Sequence, residues 1–220
     1  MRLASAARLL LAALLLLGMA LPAAAQKAGW PGDFDYYVLS LSWSPSYCES
    51  AGQKADPLQC RRGGPPLGFV VHGLWPQYKD GWPQDCRNPA PRVPEATLAG
   101  MLDLMPSRRL VLHEWRKHGT CSGLAPDAYF TAVREAFGKV TVPGQYRGVA
   151  RPMSTSAPEV ENAFRVANRD IAADMIAVTC EDGRVSEVRV CFDKSLAFTA
   201  CPAVDRRACR AGRITLPPTR

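Results

Sequence analysis

The chain has 220 residues and a formal charge of +7 at pH 7, with 27 Lys and Arg against 20 Asp and Glu. Its length fits one domain with a sizeable core rather than two domains, and after residue 25 no stretch is apolar and long enough to suggest a membrane span. The moderate positive charge favours polyanionic partners without identifying one.

The N-terminal stretch has the pattern of a secretory signal peptide. It contains Arg2 and Arg8, an apolar run over residues 9–21 and three closing alanines. Such a segment is removed on export. We therefore predict a cleaved signal peptide at residues 1–25, a mature domain at residues 26–220, and a location in the periplasm or outside the cell.

All eight cysteines follow the predicted signal peptide. An even number of cysteines in an exported chain predicts four disulfides, formed in an oxidising compartment. Metal binding is the weaker interpretation, since no CxxC pair is present and the spacings are irregular for a zinc finger or ribbon. The count alone leaves the pairing open. The eight residues are Cys48, Cys60, Cys86, Cys121, Cys180, Cys191, Cys201 and Cys209.

The first two predicted strands flank a long loop. The first strand spans residues 35–43, where apolar side chains alternate onto one face. A loop rich in Pro, Gly and charged residues follows over residues 44–66. The second strand spans residues 67–72 and ends at His72, beside a turn at Gly73. The apolar face of the first strand consists of Tyr37, Leu39, Leu41 and Trp43.

Several helices and one hairpin are predicted in the rest of the chain. The pair Asp182-Gly183 is a strong signal for the tight turn of a hairpin. Together the elements predict an α+β fold, a single domain with a central antiparallel β-sheet flanked by several helices and stapled by disulfides. The helices are predicted at residues 94–105, 126–137 and 156–167, the hairpin strands at residues 174–180 and 185–192, and further loops at residues 81–94 and 142–152.

Residues 110–121, with the sequence LVLHEWRKHGTC, bring four ionisable side chains together. A helix turns by about 100° per residue, which puts all four on one side. Trp115 falls on the opposite side, where it would anchor the helix to the core. Ser107 can cap the start of this helix, and Gly119 can end it just after His118. The four side chains are His113, Glu114, Lys117 and His118.

The histidines point to chemistry at this face. The chain has three histidines, two of them on this helix, and each has a charged neighbour one turn away. An acid, a base and a cationic stabiliser suit phosphoryl transfer or hydrolysis without a cofactor. An ordinary solvated helix surface is the alternative. The pH optimum stays open, because Lys117 favours a neutral His118 while Glu114 and the helix end favour its imidazolium form.

A zinc site is a competing interpretation of the same residues. The H-E-x-x-x-H spacing is one residue longer than that of metalloproteases, so the imidazoles of His113 and His118 diverge by about 140° instead of about 40°. The ammonium group of Lys117 would also oppose a nearby cation. We therefore predict no metal and no other cofactor.

The third histidine, His72, lies in the apolar run FVVHGLWP. By itself it fits a structural histidine at the end of a strand. Trp75, Tyr78 and Trp82 follow it closely, and isolated aromatic residues of this kind usually belong to a core. Beside a basic, histidine-rich site they also fit a stacking platform for a nucleobase, which is how single-stranded RNA is commonly bound.

Two motifs resemble the active-site segments of the ribonuclease T2 family of secreted endoribonucleases. They are FVVHGLWP at residues 69–76 and HEWRKHGTC at residues 113–121. The segments YYVLSLSWSPSYC at residues 36–48 and VSEVRVCFD at residues 185–193 resemble further parts of the family. The four segments occur in the family's order and extend over nearly the whole mature chain.

The resemblance implies a role for each matched residue. His72 would be the acid that protonates the leaving 5′-oxygen, and His118 the base that takes the proton of the ribose 2′-hydroxyl. Glu114 and Lys117 would stabilise the pentacoordinate transition state, and His113 would hold the phosphate. The product would be a 2′,3′-cyclic phosphate, later opened to a 3′-phosphate, and the need for a 2′-hydroxyl would exclude DNA.

The family also implies where the base binds. Trp75 stands where family members stack on a base, and Tyr78 and Trp82 are further candidates. Where some members have an acidic residue that helps to read the base, this chain has Gln77, so we expect relaxed base specificity. The family pairs the cysteines as Cys48–Cys60, Cys86–Cys121, Cys180–Cys209 and Cys191–Cys201.

These observations predict a secreted or periplasmic, metal-independent ribonuclease. We expect a monomer that acts on single-stranded RNA, does not cleave DNA and does not associate with membranes. A non-catalytic RNA-binding or signalling protein on the same scaffold is the alternative, although the complete set of ionisable residues argues against it. A zinc-dependent hydrolase is a third possibility, which chelation would inactivate.

Overall fold

Strand β1 (Tyr36–Trp43) lies between β2 (Phe69–Gln77) and β5 (Arg184–Phe192) in the computed structural model, which describes residues 29–61 and 63–219. Both neighbours run antiparallel to β1. Strand β2 carries predicted site residues, and the intervening β1 sets the distance of β2 from β5. The predicted signal peptide lies outside the described residues.

The sheet is mixed rather than wholly antiparallel. Its remaining strands are β3 (Met153–Thr155), β4 (Ile176–Glu181) and β6 (Ile214–Leu216). The strand order is β2-β1-β5-β6-β3, with β4 paired to β5. All pairs are antiparallel except β5 and β6, which run parallel where Arg184 pairs with Thr215. The predicted α+β class is confirmed, and the unpredicted parallel pair comes from the C-terminal tail.

The helices of the described residues pack beside this sheet. The helices predicted at residues 126–137 and 156–167 are confirmed, and both begin and end within one residue of the predicted positions. In one of them, Ser156 caps the helix by accepting a hydrogen bond from the Glu159 N–H. The helix predicted at residues 94–105 ends earlier than expected, at Ala99. The helices are α1 (Ser44–Ala51), α2 (Pro57–Cys60), α3 (Glu95–Ala99), α4 (Arg108–Lys117), α5 (Pro126–Gly138), α6 (Ala157–Ala167) and α7 (Pro202–Asp205).

The structure corrects the loop predicted at residues 44–66, because α1 and α2 lie within it. Each of these helices has a proline in its first turn, where the missing N–H costs no helical hydrogen bond. Asp56 caps α2 by accepting a hydrogen bond from the Leu58 N–H. The Pro-rich composition that suggested a loop therefore marks helix starts.

The two faces of β1 have different surroundings. The face predicted to be apolar packs into the main hydrophobic core, and burial of each large side chain there contributes roughly 1.5–3 kcal/mol. The opposite face carries the small polar residues Ser40 and Ser42. The core face consists of Tyr37, Leu39, Leu41 and Trp43, each no more than 3% exposed.

A β-bulge in β2 aims His72 away from the core. Ser40 pairs with Gly73 and Leu41 pairs with Val71, so His72 has no partner across the ladder. A bulge inserts one residue and re-aims the side chains around it. The predicted turn at Gly73 is therefore wrong, because the strand continues through the bulge to Gln77.

Helix α4 confirms the predicted central helix and its cap. Ser107 accepts a hydrogen bond from the Leu110 N–H, and Trp115 is 1% exposed in the core. The helix ends at Lys117 and continues as a 3-10 turn over Gly119–Ser122, so the left-handed glycine is Gly123 rather than Gly119. A side chain at Gly119 would instead collide with Trp115 and its aromatic neighbours.

All four predicted disulfides are confirmed. The Cys86–Cys121 bridge closes a loop of 35 residues and ties the end of α4 to the segment that follows β2. A crosslink of this span stabilises a fold by roughly 3–4 kcal/mol in the chain-entropy account. The other bridges are Cys48–Cys60, Cys180–Cys209 and Cys191–Cys201. In the described part of the chain, none of the helices has both the length and the apolar character required to cross a membrane.

Candidate active site

A cleft of about 830 Å³ opens where β2, α4 and β5 meet. Two of the three histidines line it, His72 from the bulge of β2 and His113 from α4. Arg109 and Arg116 on α4 and Arg189 on β5 add positive charge along its walls. Three carboxylates, including that of Glu187, line it as well, so the cleft offers an anion arginine side chains and two imidazoles rather than a uniformly cationic surface.

His72 is held by a carboxylate that was not among the predicted site residues. Its Nδ1 lies 2.6 Å from Oε1 of Glu187, whose side chain is 9% exposed, while the imidazole itself is 35% exposed. Burial alone would lower the pKa of His72, but the hydrogen bond to Glu187 and the charges of Glu114 and Glu187 outweigh it and raise the pKa. His72 thus keeps its proton to a higher pH than an ordinary histidine.

Glu187 is in turn shared with Arg189. The Nε and Nη2 groups of Arg189 donate to Oε2 of Glu187 over 2.9 and 2.6 Å, which leaves Oε1 for His72. Burial would raise the pKa of Glu187, but the hydrogen bond and charge of His72, together with Arg189, lower it to about 2. Glu187 therefore remains a carboxylate over the ordinary pH range.

Glu114 lies at the centre of the site. Its side chain is 2% exposed, its Oε1 lies 3.5 Å from Nε2 of His72 and 4.0 Å from Nε2 of His113, and its Oε2 accepts a 2.7 Å hydrogen bond from Nε1 of Trp75. Burial raises its pKa, against the opposing charge of His72. The helical pattern predicted that Glu114 lies on an ionisable face opposite the core. The structure buries it because β2 covers that face.

The surroundings of His118 lower its pKa, whereas those of His72 raise the pKa of that histidine. His118 caps the C-terminal end of α4 and is 8% exposed. Burial and the nearby charges of Lys117, His72 and His113 lower its pKa to about 3. The sequence left open which protonation state of His118 is favoured, and the structure favours the neutral imidazole. In the described part of the chain, no group lies within hydrogen-bond distance of its Nδ1.

His113 is the exposed histidine of the group. Its side chain is 54% exposed and its pKa is lowered by partial burial and by the charge of Lys117. Lys117 is partly buried on the same side of α4. The structure thus brings together all five residues that were predicted to be catalytic.

The indole ring of Trp75 lies close to the imidazoles of His72 and His118. The ring lies 5.3 Å from that of His72 and 5.4 Å from that of His118, measured between centroids. The Arg189 guanidinium lies 5.3 Å from the centre of the indole, within the range of a cation–π contact. Trp75 is therefore part of the same network as the ionisable residues.

The predicted base-binding residues do not line the 830 Å³ cleft. The side chain of Gln77 is buried, with its Nε2 donating to the Pro76 carbonyl. The guanidinium of Arg207 lies 5.2 Å from the ring centre of Trp82. Tyr78 is only partly buried. Of the four predicted residues, the structure connects Trp75 to the histidines and leaves Gln77, Tyr78 and Trp82 on the segment beyond it.

The sequence pattern of β5 could have identified Glu187 and Arg189 as candidate site residues. They alternate with Val188 and Val190 along β5, so two charges lie on one face of a strand whose other face is apolar. A buried carboxylate needs a partner. The identity of that partner depended on β2 and β5 both flanking β1. Among the described residues, no three His, Cys, Asp or Glu side chains form a group suited to a metal ion.

Comparison with known proteins gives one family. The model of the Ribonuclease T2 family matches residues 34–201. A ribonuclease of Aeromonas hydrophila is 45% identical over 134 residues, which cover 59% of this chain and 59% of that protein. The chain spans about three fifths of the length of the first curated relatives that it matches.

Solved structures show the same architecture. An RNase-related protein from Calystegia sepium matches with a TM-score of 0.67 at 23% identity, over 85% of this chain and 98% of that one. RNase NT in complex with 5′-AMP matches with a TM-score of 0.59 at 25% identity, over 84% of this chain and 99% of that one.

Proposed function

Because the chain belongs to the ribonuclease T2 family, we propose that it is an endoribonuclease that cleaves single-stranded RNA without a metal ion. The opposite environments of His72 and His118 carry this proposal. The pKa of His72 is raised and that of His118 is lowered to about 3, so at neutral pH the first favours the acid form and the second the base form. Environments that separate two pKa values in this way assign acid and base roles.

In the proposed first step, His118 removes the proton of the ribose 2′-hydroxyl. The resulting oxygen attacks the adjacent phosphorus, and His72 donates its Nε2 proton to the departing 5′-oxygen. The P–O5′ bond breaks as the P–O2′ bond forms, which leaves a 2′,3′-cyclic phosphate and a 5′-hydroxyl. In the second step the two histidines exchange roles, and water opens the ring to a 3′-phosphate.

Charge that develops on the phosphorane oxygens is stabilised by groups around Glu114. Lys117 supplies a cation, and His113 extends from α4 into the cleft, where it can bind the phosphate. The Oε1 atom of Glu114 lies between His72 and His113, at 3.5 and 4.0 Å. A carboxylate at this point can orient both imidazoles or share a proton with the phosphate.

RNA is the proposed substrate because the attacking group is a 2′-hydroxyl, which DNA lacks. The nucleotide bound to RNase NT is in accord with this choice. Trp75, Tyr78, Gln77 and Trp82 are the proposed base-binding residues. Since the Gln77 amide already donates to the Pro76 carbonyl, we propose relaxed base specificity. We further propose a monomer.

The four disulfides fit an exported protein. We propose that residues 1–25 direct export to the periplasm or the medium. A non-catalytic RNA-binding protein on the same scaffold is the second candidate. The separated histidine pKa values argue against it, since RNA binding alone does not require a paired acid and base.

The proposal is tested by incubating the purified protein with single-stranded RNA and with DNA of matching sequence, each with and without EDTA. Cleavage of RNA alone, unchanged by EDTA, is the expected result. Loss of activity on chelation would establish a metal-dependent hydrolase instead. RNA binding without cleavage between pH 4 and 9 would favour the non-catalytic candidate.

The pH profile of kcat/KM is expected to be broad. On the acid side, activity is lost as His118 becomes protonated, with a pKa of about 3. On the alkaline side, activity is lost as His72 gives up its proton, with a midpoint above the ordinary histidine value. Circular dichroism at each pH separates these effects from acid unfolding. An alkaline midpoint below the ordinary histidine value would contradict the assignment of His72 as the acid.

A further inference from the structure

Glu187 makes a close contact with a histidine on another strand. His72 and Glu187 lie on β2 and β5, which are separated by β1, yet Nδ1 and Oε1 are 2.6 Å apart. The bulge directs His72 across β1, and the small Ser40 and Ser42 on that face leave room for the two side chains to meet. The contact therefore depends on three adjacent strands.

We propose that Glu187 is a positioning residue for His72, which holds the imidazole by its Nδ1–H so that Nε2 carries the proton delivered to the leaving oxygen. This inference rests on the proposed function. When Nε2 gives its proton to the 5′-oxygen, the Nδ1–H group keeps its proton and its hydrogen bond to Glu187. The neutral imidazole is then already in the tautomer whose Nε2 takes a proton from water in the second step. No proton has to move to Glu187.

The second oxygen of Glu187 is fixed by Arg189, which prevents the carboxylate from rotating away from His72. Both donor groups of Arg189 engage Oε2, and the guanidinium packs over Trp75, whose indole donates to Glu114. The 3.5 Å contact between Glu114 and His72 closes these contacts into a ring that includes His72. Charged and titratable groups that surround His72 are Glu187 and Arg189 from β5, and His113, Glu114, Lys117 and His118 from α4 and its C-terminal end.

The first test compares Glu187→Gln with wild-type protein by NMR. The chain has three histidines, so three imidazole signals report on the whole site. Glu187→Gln is expected to lower the pKa of His72, because it removes the hydrogen-bonded carboxylate. Arg189→Gln is expected to raise it, because Arg189 opposes the charged form of His72. Opposite signs would not arise from a general loss of structure.

The second test uses two substrates that differ in the leaving group. With a dinucleotide, whose alkoxide must be protonated, Glu187→Gln is expected to lower kcat by about 10-fold to 100-fold, a part of the 10²–10⁴-fold that a general acid supplies. With a nucleoside 3′-(4-nitrophenyl phosphate), whose phenolate leaves without a proton, kcat should stay near that of the wild type.

Glu161→Gln is the matched control. Glu161 is a half-buried carboxylate that accepts a hydrogen bond from the Val178 N–H of β4 and does not touch His72. It should change neither the His72 titration nor the leaving-group dependence. An unchanged His72 pKa in Glu187→Gln, or equal losses with both substrates, would overturn the role of Glu187. Absence of RNA cleavage by the wild-type protein would instead overturn the proposed function, and the His72 titration would still decide the contact.

Discussion

Replacing His72 with Asn is expected to lower kcat for RNA cleavage by about 10³-fold or more, within the range that removal of a general acid produces. His72 is 35% exposed and extends from a bulge, so its loss leaves no large cavity and the fold should persist. An Asn amide can still donate to Glu187, but it cannot deliver a proton to an alkoxide. Initial rates with a dinucleotide and a circular dichroism spectrum measure the two expectations.

The matched control is His113→Asn, which removes an exposed imidazole from the same cleft and leaves the proposed acid and base in place. It should weaken phosphate binding, mainly through KM, and cost far less in kcat. The 4-nitrophenyl substrate should restore much of the activity of His72→Asn. Retention of wild-type kcat on the dinucleotide by folded His72→Asn would refute the acid role.

Replacing Gly73 with Ala is expected to lower kcat by about 10²-fold, because a displacement of about 1 Å in a catalytic group can have that effect. A Cβ at this position would collide with Oε2 of Glu114 and with the indole nitrogen of Trp75. The hydrogen bond between those two atoms would break, and Glu114 would move relative to His72. Loss of a hydrogen bond to a charged group also costs roughly 1.5–3 kcal/mol of stability.

Gly144→Ala is the control for backbone effects, since a Cβ at Gly144 meets no atom within 4 Å. It should leave kcat and the denaturation midpoint close to their wild-type values. The His72 titration in Gly73→Ala shows whether Glu114 has moved. Wild-type kcat in Gly73→Ala would mean that the contact between Trp75 and Glu114 has no part in catalysis.

Much of the framework could be predicted from local patterns. The apolar alternation of β1, the Ser107 and Ser156 caps and the Asp182-Gly183 turn all depend on residues close in sequence, and the structure confirms each of them. The four disulfide pairings followed from the family resemblance rather than from local pattern. Helices α1 and α2 were missed because their prolines also fit a loop.

The details of the site depended on contacts between distant segments. In a regular strand, His72 and Trp75 would lie on opposite faces, and only the bulge places both beside α4. Burial of Glu114 and His118 follows from the position of β2 over that helix. The pairing of Glu187 with His72 required the strand order, which no single segment of sequence specifies.

The most direct test of the account uses a DNA oligonucleotide that contains one ribonucleotide. Attack by the 2′-hydroxyl predicts a single cut, on the 3′ side of that ribonucleotide, with a 2′,3′-cyclic phosphate as the first product and a 5′-hydroxyl on the released strand. The cut should persist in EDTA and disappear when the 2′-hydroxyl is methylated. Cleavage at a deoxynucleotide, or a new 3′-hydroxyl end, would contradict the two-histidine mechanism.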